Sequence, residues 1–317
     1  MPRKNIIDLA EGNELDEVFL LASHQIRLTK SNSQYLSVSV SDKTGTISGN
    51  VWDIPENVSD LKDGEFVSVK AAVTKYMDQL QLKFISLDPL KTDEVKAEDR
   101  IALVPSIEQD PEVLYQALMN DINNVEDPQL KQMSVYLLDA VKSSFTSIPA
   151  AKTLHHAELG GLLLHSYEVI QYIKAIHGVT PWFDCDLAIV GGLFHDIGKL
   201  NEYIIAPTGL VSDYSREGML LNHVYMGTEI IGKYCNHFKV SKEKTMRLQH
   251  MILSHHGEFE YGSPVKPSTM EAYVLHMADE LSAKMHMYKD AVESVNPGEF
   301  SEKVYALDGL KVYRPDN

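Results

Sequence analysis

The spacing of the apolar residues changes once along the chain, and this change limits the folds available to it. Between about residues 18 and 88 apolar and polar residues alternate, as in QYLSVSVSDKTGTISGNVWD, with Thr44–Gly45 as a turn between two runs. From residue 110 onward, apolar residues recur every three or four positions. Alternation is typical of half-buried strands, and the longer period is typical of helices. The sequence therefore predicts a multidomain protein, all-β at the N-terminus and all-α after it.

The first region has the length and strand number of a small barrel. About five short strands in roughly 70 residues fit the OB-fold, a closed barrel that binds oligonucleotides. Such barrels stack bases on exposed aromatic rings beside cationic side chains. The candidates for this nucleic-acid-binding surface are Tyr35, Trp52, Lys75 and Tyr76. Aromatic residues in strands are more often part of a core, and that alternative applies to each ring.

A chain of 317 residues has room for two domains. Asp110–Pro111 and Asp127–Pro128 each provide an N-cap residue followed by proline at the first helical position. The predicted division is an N-terminal segment (1–17), the barrel (18–88), a charged linker with a connecting helix (89–127), the helical domain (128–295) and a C-terminal tail (296–317).

Composition restricts the partners and the compartment. The net charge of −16 opposes nucleic-acid binding, so a strand would have to be held locally, by a groove or by metal ions. The N-terminus lacks the apolar core of a signal peptide, and no apolar run has the length of a membrane span. Cys185 and Cys235 form no CxxC pair, and reduced thiols fit better than one disulfide. We therefore expect a cytoplasmic protein without membrane contact.

The stretch GGLFHDIGKL places His195 and Asp196 side by side in an apolar run. Burying an imidazole and a carboxylate there is costly unless something compensates the lost hydration. Mutual hydrogen bonding is one compensation, and a bound metal ion is another. The rest of the chain decides between them.

Twelve of the 13 histidines follow residue 154, and five successive predicted helices each carry a histidine or aspartate at an inward or cleft-facing position. In chain order these residues are His165, His195 with Asp196, His223, His255 with His256, and Asp279. Singly, each would more often be a hydrogen-bonded core residue than a ligand. Together they indicate a metal centre, and nitrogen and oxygen ligands without thiolate suit Mn²⁺, Fe²⁺, Zn²⁺ or Mg²⁺.

The order H…HD…H…HH…D, with GGLLLHSYEV and GGLFHDIGKL as its first two blocks, resembles the HD-domain phosphohydrolase superfamily over about residues 150–290. With an OB-like barrel before it, the whole chain resembles the YhaM-type 3′–5′ exoribonucleases. The resemblance implies two divalent ions, with Mn²⁺ first and Fe²⁺, Co²⁺, Mg²⁺ or Zn²⁺ as alternatives.

The resemblance also implies roles for the individual residues. One ion would be held by His165, His195, Asp196 and Asp279, and Asp196 would bridge to a second ion held by His223 and His255. His256 would be an alternative ligand or a phosphate contact. Lys199 would face a substrate phosphate or pair with Asp196. Asp196, Lys199 and His256 are thus the candidate catalytic residues.

The remaining histidines receive lesser roles. His155, His156 and His276 lie close by in sequence and could orient the ligands. The others are expected to have structural roles: His177, His237, His250 and His286.

The activity implied is a metal-dependent 3′–5′ exoribonuclease that releases nucleoside 5′-monophosphates from RNA 3′ ends. Two ions suit in-line attack, since one generates the hydroxide and both neutralise charge on the phosphorus oxygens. The partner would be single-stranded RNA, with DNA and a homo-oligomer as further options. One alternative is an HD phosphohydrolase of a cyclic dinucleotide, an alarmone or a dNTP, although HHGEFEYGSP lacks the GYP motif of the cyclic-dinucleotide enzymes. The other is a non-catalytic nucleic-acid-binding protein.

Overall fold

The protein is described from a computed structural model that covers residues 4–316 apart from 30, 55, 78 and 153–155. The chain divides into two compact units. The first comprises the residues up to 106 together with 204–213, and the second comprises 107–203 and the residues from 214 onward. His155, a candidate from the sequence, lies outside the described residues.

The first unit contains a closed barrel of five strands. The strands are β1 (Glu14–Leu28), β2 (Gln34–Asp42), β3 (Gly45–Val51), β4 (Phe66–Tyr76) and β5 (Gln79–Leu90). Their order around the barrel is β1–β2–β3–β5–β4, and β1 closes it by pairing with β4. Neighbours are antiparallel except β3 and β5, which run parallel. This five-stranded closure confirms the predicted OB-like barrel.

The alternation in the sequence becomes the two faces of the barrel wall. In β2, Leu36, Val38 and Val40 point inward and are fully buried, while the residues between them are partly exposed. Gly49 lies where β3 meets β5, and a Cβ at this position would collide with the Leu82 carbonyl oxygen. The close parallel contact that completes the wall therefore requires glycine.

The first unit also holds α1 (Ala97–Leu103) and most of a hairpin formed by β6 (Tyr203–Ile205) and β7 (Val211–Tyr214). The Thr208 hydroxyl of this hairpin donates to the Gly64 carbonyl. The hairpin interrupts a region that the sequence predicted as purely helical. Strands of three or four residues are too short for alternation to mark them.

The second unit is helical and has one continuous apolar core. Its helices are α2 (Pro111–Asn123), α3 (Pro128–Phe145), α4 (Gly161–Val179), α5 (Cys185–Phe194), α6 (Lys199–Glu202), α7 (Arg216–His237), α8 (Lys242–Ser254) and α9 (Met270–Glu293). Asp110 and Asp127 cap α2 and α3 as the sequence indicates, each accepting from backbone N–H groups of the first turn. Leu118 and Ile122 of α2 are fully buried in this core, so α2 belongs to the helical unit rather than to a linker.

The C-terminal tail folds back on itself after α9. Isolated β-bridges join Phe300 to Tyr313 and Val304 to Leu310. Leu307 and Val312 pack with Ala291 of α9 in a small satellite cluster. Among the described helices, none combines the length and apolar character that crossing a membrane would require. Both cysteines are free thiols.

Candidate metal centre

Six side chains from five places in the helical unit converge on one site. They are His165 of α4, His195 and Asp196 just after α5, His223 of α7, His255 just after α8, and Asp279 of α9. Five of them are at least nine-tenths buried, and Asp279 is 17% exposed. The structure thus brings together all six residues that the sequence proposed as metal ligands.

Glycines allow the helices to approach closely enough for this convergence. A Cβ on Gly192 of α5 would press on Ile173 of α4, and a Cβ on Gly198 would collide with the backbone of His223. The glycines of GGLFHDIGKL therefore bring the His195–Asp196 pair against its neighbours. Asn222 adopts a left-handed backbone with φ of 64° inside α7, and its side chain caps Val224 N–H at 3.0 Å. The chain in effect starts a new helix at His223, with Asn222 as its cap.

One group of donor atoms surrounds His165. Its Nε2 lies 3.1 Å from His195 Nε2, 3.1 Å from Asp279 Oδ1 and 3.7 Å from Asp196 Oδ2. His195 Nε2 lies 3.3 Å from the same Asp196 oxygen. Ligands that share one ion at about 2.0–2.2 Å lie roughly 3.0–3.5 Å apart in octahedral or tetrahedral geometry. Three of the five distances lie in this range, and the His165–Asp196 and His195–Asp279 distances, 3.7 and 3.9 Å, lie slightly above it.

A second group faces the other oxygen of Asp196. Asp196 Oδ1 lies 3.6 Å from His223 Nε2 and 3.7 Å from His255 Nε2. A ligand atom of His256 lies within 4.8 Å of those of His223 and His255. Asp196 therefore presents one oxygen to each group.

Hydrogen bonds at Nδ1 direct the Nε2 atoms of these histidines toward the site and fix the tautomer of each neutral ring. His195 Nδ1 donates to Gly192 O at 2.8 Å, and His255 Nδ1 donates to Ile252 O at 2.7 Å. Carbonyl oxygens only accept, so each Nδ1 carries the proton and each neutral ring offers its Nε2 lone pair. His223 Nδ1 lies 3.0 Å from both oxygens of Glu202, which fixes the same tautomer.

His165 reaches its tautomer through a relay. Its Nδ1 lies 3.0 Å from Ser282 Oγ, whose hydroxyl donates to Glu168 Oε2 at 2.7 Å. The serine can then only accept from His165 Nδ1–H. As a result, the Nε2 lone pairs of His165 and His195 face each other at 3.1 Å. Two lone pairs so close repel unless a proton or a metal ion lies between them.

Buried polar atoms without partners support the metal alternative. Among the described residues, Asp196 Oδ1, His223 Nε2, His255 Nε2 and His256 Nδ1 are buried and have no hydrogen-bond partner. Leaving one such atom unsatisfied costs about 1–3 kcal/mol, and four in one cluster are rare in a folded protein. All four belong to the second group or face it. The donor set therefore fits a divalent cation, and mutual hydrogen bonding alone does not account for it.

The local electrostatics favour the metal-binding protonation states of His255 and the two carboxylates. At His195, burial opposes the charged ring, but Asp196 and Asp279 outweigh it and raise the pKa, so a cation would displace a proton there. Burial lowers the pKa of His255 well below its usual value, with His256 adding to the shift. Burial would raise the pKa of Asp196, but the Lys199 ammonium and His195 outweigh it and hold that pKa well below its usual range. For Asp279, likewise, the neighbouring His165 and His195 outweigh burial and lower the pKa. Neutral imidazoles and ionised carboxylates are what a cation needs.

A cleft of about 490 Å³ opens over the two groups. Lys199 lines it and forms an ion pair with Asp196, with Nζ 2.6 Å from Oδ2. The structure thus shows the pairing that the sequence offered as one of two roles for Lys199. His256, Tyr214 and Tyr261 line the same cleft, whose size suits a nucleotide.

Sequence reasoning missed the residues that orient the ligands. Glu202 is 3% exposed, and Glu168 and Ser282 complete the relay to His165. His286, assigned a structural role, lies with Nε2 2.9 Å from Glu168 Oε1. A signal existed in the spacing, because Glu168 is one helical turn after His165 and Ser282 one turn after Asp279.

The histidines proposed as orienting groups have distinct positions. His156 stacks on His286 with ring centroids 3.7 Å apart, and burial lowers its pKa to about 3. His276 Nδ1 donates to the His255 carbonyl at 2.8 Å, which steadies the end of α8. His156, Glu168 and His286 offer ligand atoms within 4.8 Å of one another. Both oxygens of Glu168 already have hydrogen-bond partners, so this trio supports His165 rather than forming a separate centre.

The barrel separates the four nucleic-acid-binding candidates into two pairs. Tyr35 and Trp52 lie together with ring centroids 5.2 Å apart, and Trp52 is 60% exposed. Lys75 and Tyr76 are exposed at the β4–β5 turn, where Tyr76 pairs with Gln79. By the β3–β5 register, this turn lies about six residues, roughly 20 Å, along the strands from Trp52. The two pairs therefore lie at opposite ends of the barrel along the strand direction.

The model of the HD domain family matches residues 162–284. The chain is 33% identical over 315 residues to the 3′-5′ exoribonuclease YhaM of Geobacillus sp. (strain WCH70), covering 98% of this chain and 95% of that protein. It is 32% identical over 315 residues to that of Halalkalibacterium halodurans, covering 99% and 97%. The protein of the same name from Shouchella clausii is 31% identical over 310 residues, covering 96% and 94%.

Among solved structures, a replication protein A heterotrimer bound to ssDNA matches with a TM-score of 0.22 and 16% identity, covering 30% of this chain and 66% of that chain. At that score the barrel assignment rests on the strand order alone.

Proposed function

We propose a function from one premise: the chain belongs to the YhaM family of 3′–5′ exoribonucleases. It is accordingly a metal-dependent phosphodiesterase with an HD domain, acting on RNA from the 3′ end. The number of ions, their ligands and the path of the RNA are our own proposals.

The observation that carries the two-ion proposal is the position of Asp196. Its Oδ2 faces His165 and His195, while its Oδ1, without a hydrogen-bond partner among the described residues, faces His223 and His255. A carboxylate with one oxygen toward each of two nitrogen groups is suited to bridge two cations. We assign His165, His195, Asp196 and Asp279 to one ion, and Asp196, His223 and His255 to the other. The nearby His256 is an additional ligand for the second ion or a phosphate contact.

The nitrogen and oxygen donor set, without sulfur, is compatible with Mn²⁺, Fe²⁺, Co²⁺, Mg²⁺ or Zn²⁺. Of these we propose Mn²⁺ first, on the family resemblance. When bound, such ions supply a nucleophile at neutral pH and neutralise charge on the phosphorus oxygens. Among the chain's own groups, Lys199 is the cation of the cleft, and a phosphate oxygen there would compete with Asp196 for its ammonium. Local cations thereby offset the net charge of −16.

The barrel serves as the grip for the strand in this proposal. Trp52, packed against Tyr35 and still largely exposed, offers a flat ring on which a base can stack. Lys75 and Tyr76 at the other end of the barrel offer a charge and a second ring. Stacking and phosphate contacts read no base identity, so we expect degradation with little sequence preference. RNA is the substrate we propose, with DNA as a weaker one. The cytoplasmic location stays a prediction.

A pair of RNA oligomers tests the proposal. A 5′-labelled linear oligomer with Mn²⁺ should give a ladder shortened one nucleotide at a time, with nucleoside 5′-monophosphates as the released product. EDTA should stop the reaction. A circular oligomer of the same sequence has no 3′ end and should stay intact.

Cutting of the circle at a comparable rate would show an endonuclease and contradict the proposal. Hydrolysis of small nucleotides with both RNAs intact would instead favour a small-nucleotide phosphohydrolase. Binding without hydrolysis in any divalent metal would favour a non-catalytic protein.

A further inference from the structure

Helix α9 has two apolar faces, one buried in the core and the other largely exposed among the described residues. The inner face packs in the core with Ala272, Leu275 and Ala278, and carries Asp279 to the metal centre. On the other side six large apolar residues are between 37% and 58% exposed. These residues, called the α9 stripe, are Met270, Tyr273, Met277, Leu281, Met285 and Tyr288.

The α9 stripe is one continuous surface. At about 100° per residue, its six members fall within an arc of roughly 120°, and Asp279 lies opposite the centre of that arc. Lys284 is the one charged residue of α9 within the arc, and its Nζ lies 2.6 Å from Glu280 Oε1. A surface helix normally presents polar residues to water on the side away from the core. A stripe of this length on α9 therefore indicates a partner.

The spacing of the α9 stripe is symmetric. Counted from position 279, its members lie at −9, −6, −2, +2, +6 and +9. A second α9 laid antiparallel, with a two-fold axis beside position 279, sets Met277 against Leu281 of the second copy. The same operation sets Tyr273 against Met285 and Met270 against Tyr288. Every apolar member then meets an apolar member, which is the self-complementarity that an isologous interface requires.

We propose that the α9 stripe is the interface of a homodimer in which two copies of this chain pair antiparallel along α9. The inference does not rest on the proposed nuclease function, because none of the six stripe residues lines the cleft. Asp279 points away from the stripe, so each copy keeps its metal centre on the inner face of the helix.

The size and composition of the α9 stripe agree with a second copy of the chain as its partner. The exposed parts of the six side chains amount to on the order of 600 Å² per copy, close to the roughly 800 Å² per partner of a standard interface. Tyrosine and methionine, five of the six residues, are enriched at the centres of interfaces. A nucleic acid or an anionic membrane would need cations, and the one lysine of the arc is already paired with Glu280.

The first test compares two methionine-to-glutamate variants of the full chain by sedimentation equilibrium. Met285→Glu places two like charges in the proposed interface, whereas Met246→Glu changes an equally exposed methionine on α8. The unmodified chain and Met246→Glu should be dimers at micromolar concentration. Met285→Glu should weaken dimerisation by roughly a hundredfold or more. Circular dichroism melting verifies that both variants fold.

The second test uses disulfide trapping to determine which positions of the two antiparallel α9 helices face each other. In a Cys185→Ser background, Tyr273→Cys chains are mixed with Met285→Cys chains under mild oxidation. The mixture should cross-link, because these positions face each other across the two-fold axis. Each variant alone should cross-link far less, because like positions would be about 18 Å apart along the helices.

Three outcomes would overturn the proposal. A chain that stays monomeric at tens of micromolar has no such interface. Equal dissociation of the Met246→Glu and Met285→Glu variants would exclude the α9 stripe as the cause. Loss of RNA or vesicle binding in Met285→Glu, with the oligomeric state unchanged, would assign the stripe to that other partner.

Discussion

Glu202→Gln should weaken the second metal site selectively. Glu202 is 3% exposed, and its oxygens lie 3.0 Å from His223 Nδ1, while one also accepts from His223 N–H at 2.9 Å. Burial opposes its charge, but these bonds to His223 outweigh that and lower the pKa of Glu202, so it is a carboxylate at neutral pH. An amide group brings N–H donors to the place where His223 already offers two. The imidazole can then accept at Nδ1 and carry its proton at Nε2, the proposed ligand atom.

The size of the effect follows from the number of bonds lost. One carbonyl oxygen remains in glutamine, so one of the two His223 donors keeps a neutral acceptor and the other does not. Loss of a partner that orients a metal-binding histidine typically costs 10–100-fold in metal affinity. We expect a loss in that range for one ion, equivalent to about 1.4–2.8 kcal/mol.

Isothermal titration with Mn²⁺ and metal analysis after dialysis measure the two sites. Ser282→Ala is the companion variant, because it removes the acceptor of His165 Nδ1 and should weaken the first site instead. Glu217→Gln changes an exposed carboxylate at the start of α7 and should bind both ions normally. In an Asp279→Asn background the first site is impaired, so the effect of Glu202→Gln on Mn²⁺ affinity can be measured at the second site alone.

Two results would refute the reasoning. Equal loss of both ions in Glu202→Gln would mean that the ligands are not partitioned as we propose. Unchanged Mn²⁺ affinity would mean that His223 is not a ligand at all.

Three further changes are expected to have distinct effects. Asp196→Ala should abolish RNA hydrolysis with little change in the circular dichroism spectrum, and more than a few per cent activity with two ions bound would contradict the bridging role. Trp52→Ala should weaken binding of long RNA by about 1–3 kcal/mol in a fluorescence assay, while hydrolysis of a small activated phosphodiester is unchanged. Asp127→Ala should destabilise the helical unit by about 1 kcal/mol at pH 7 in urea unfolding, because it removes the α3 cap and the partner of Lys244. Burial opposes ionisation of Asp127, but the hydrogen bond from Leu130 N–H and the Lys244 ammonium outweigh burial and lower the pKa of Asp127. The stability difference between the unmodified chain and Asp127→Ala should therefore shrink as the pH falls below 3.8, the ordinary pKa of an aspartate.

The sequence by itself determined the order of the two domains and the identity of the six converging residues. Alternation in Leu36–Val40 and the later helical period reflect local geometry, in which each side chain's direction follows from its position. The candidate ligands were identifiable because His165 and Asp279 lie on apolar helical faces, where burial of a polar side chain is costly unless a partner compensates it.

The family resemblance implied how those residues are divided between two ions, but only the tertiary structure decided where each oxygen of Asp196 points. The assignment of one Asp196 oxygen to each group depends on how α4, α5, α7, α8 and α9 pack, and that packing joins residues more than 100 positions apart. The orienting residues were hidden for the same reason. Glu202, Glu168 and Ser282 belong to common residue types, and nothing in their local sequence says which histidine each one faces.

The α9 stripe shows the same division in a single helix. The sequence predicts an inward-facing Asp279 on this helix, and its period predicts which residues share a face with it. Only the fold shows that the Asp279 side packs inside the chain and that the Tyr273–Met285 side is left exposed. Helical periodicity fixes which residues share a face, whereas the partner of each face is set by contacts distant in sequence or in another chain.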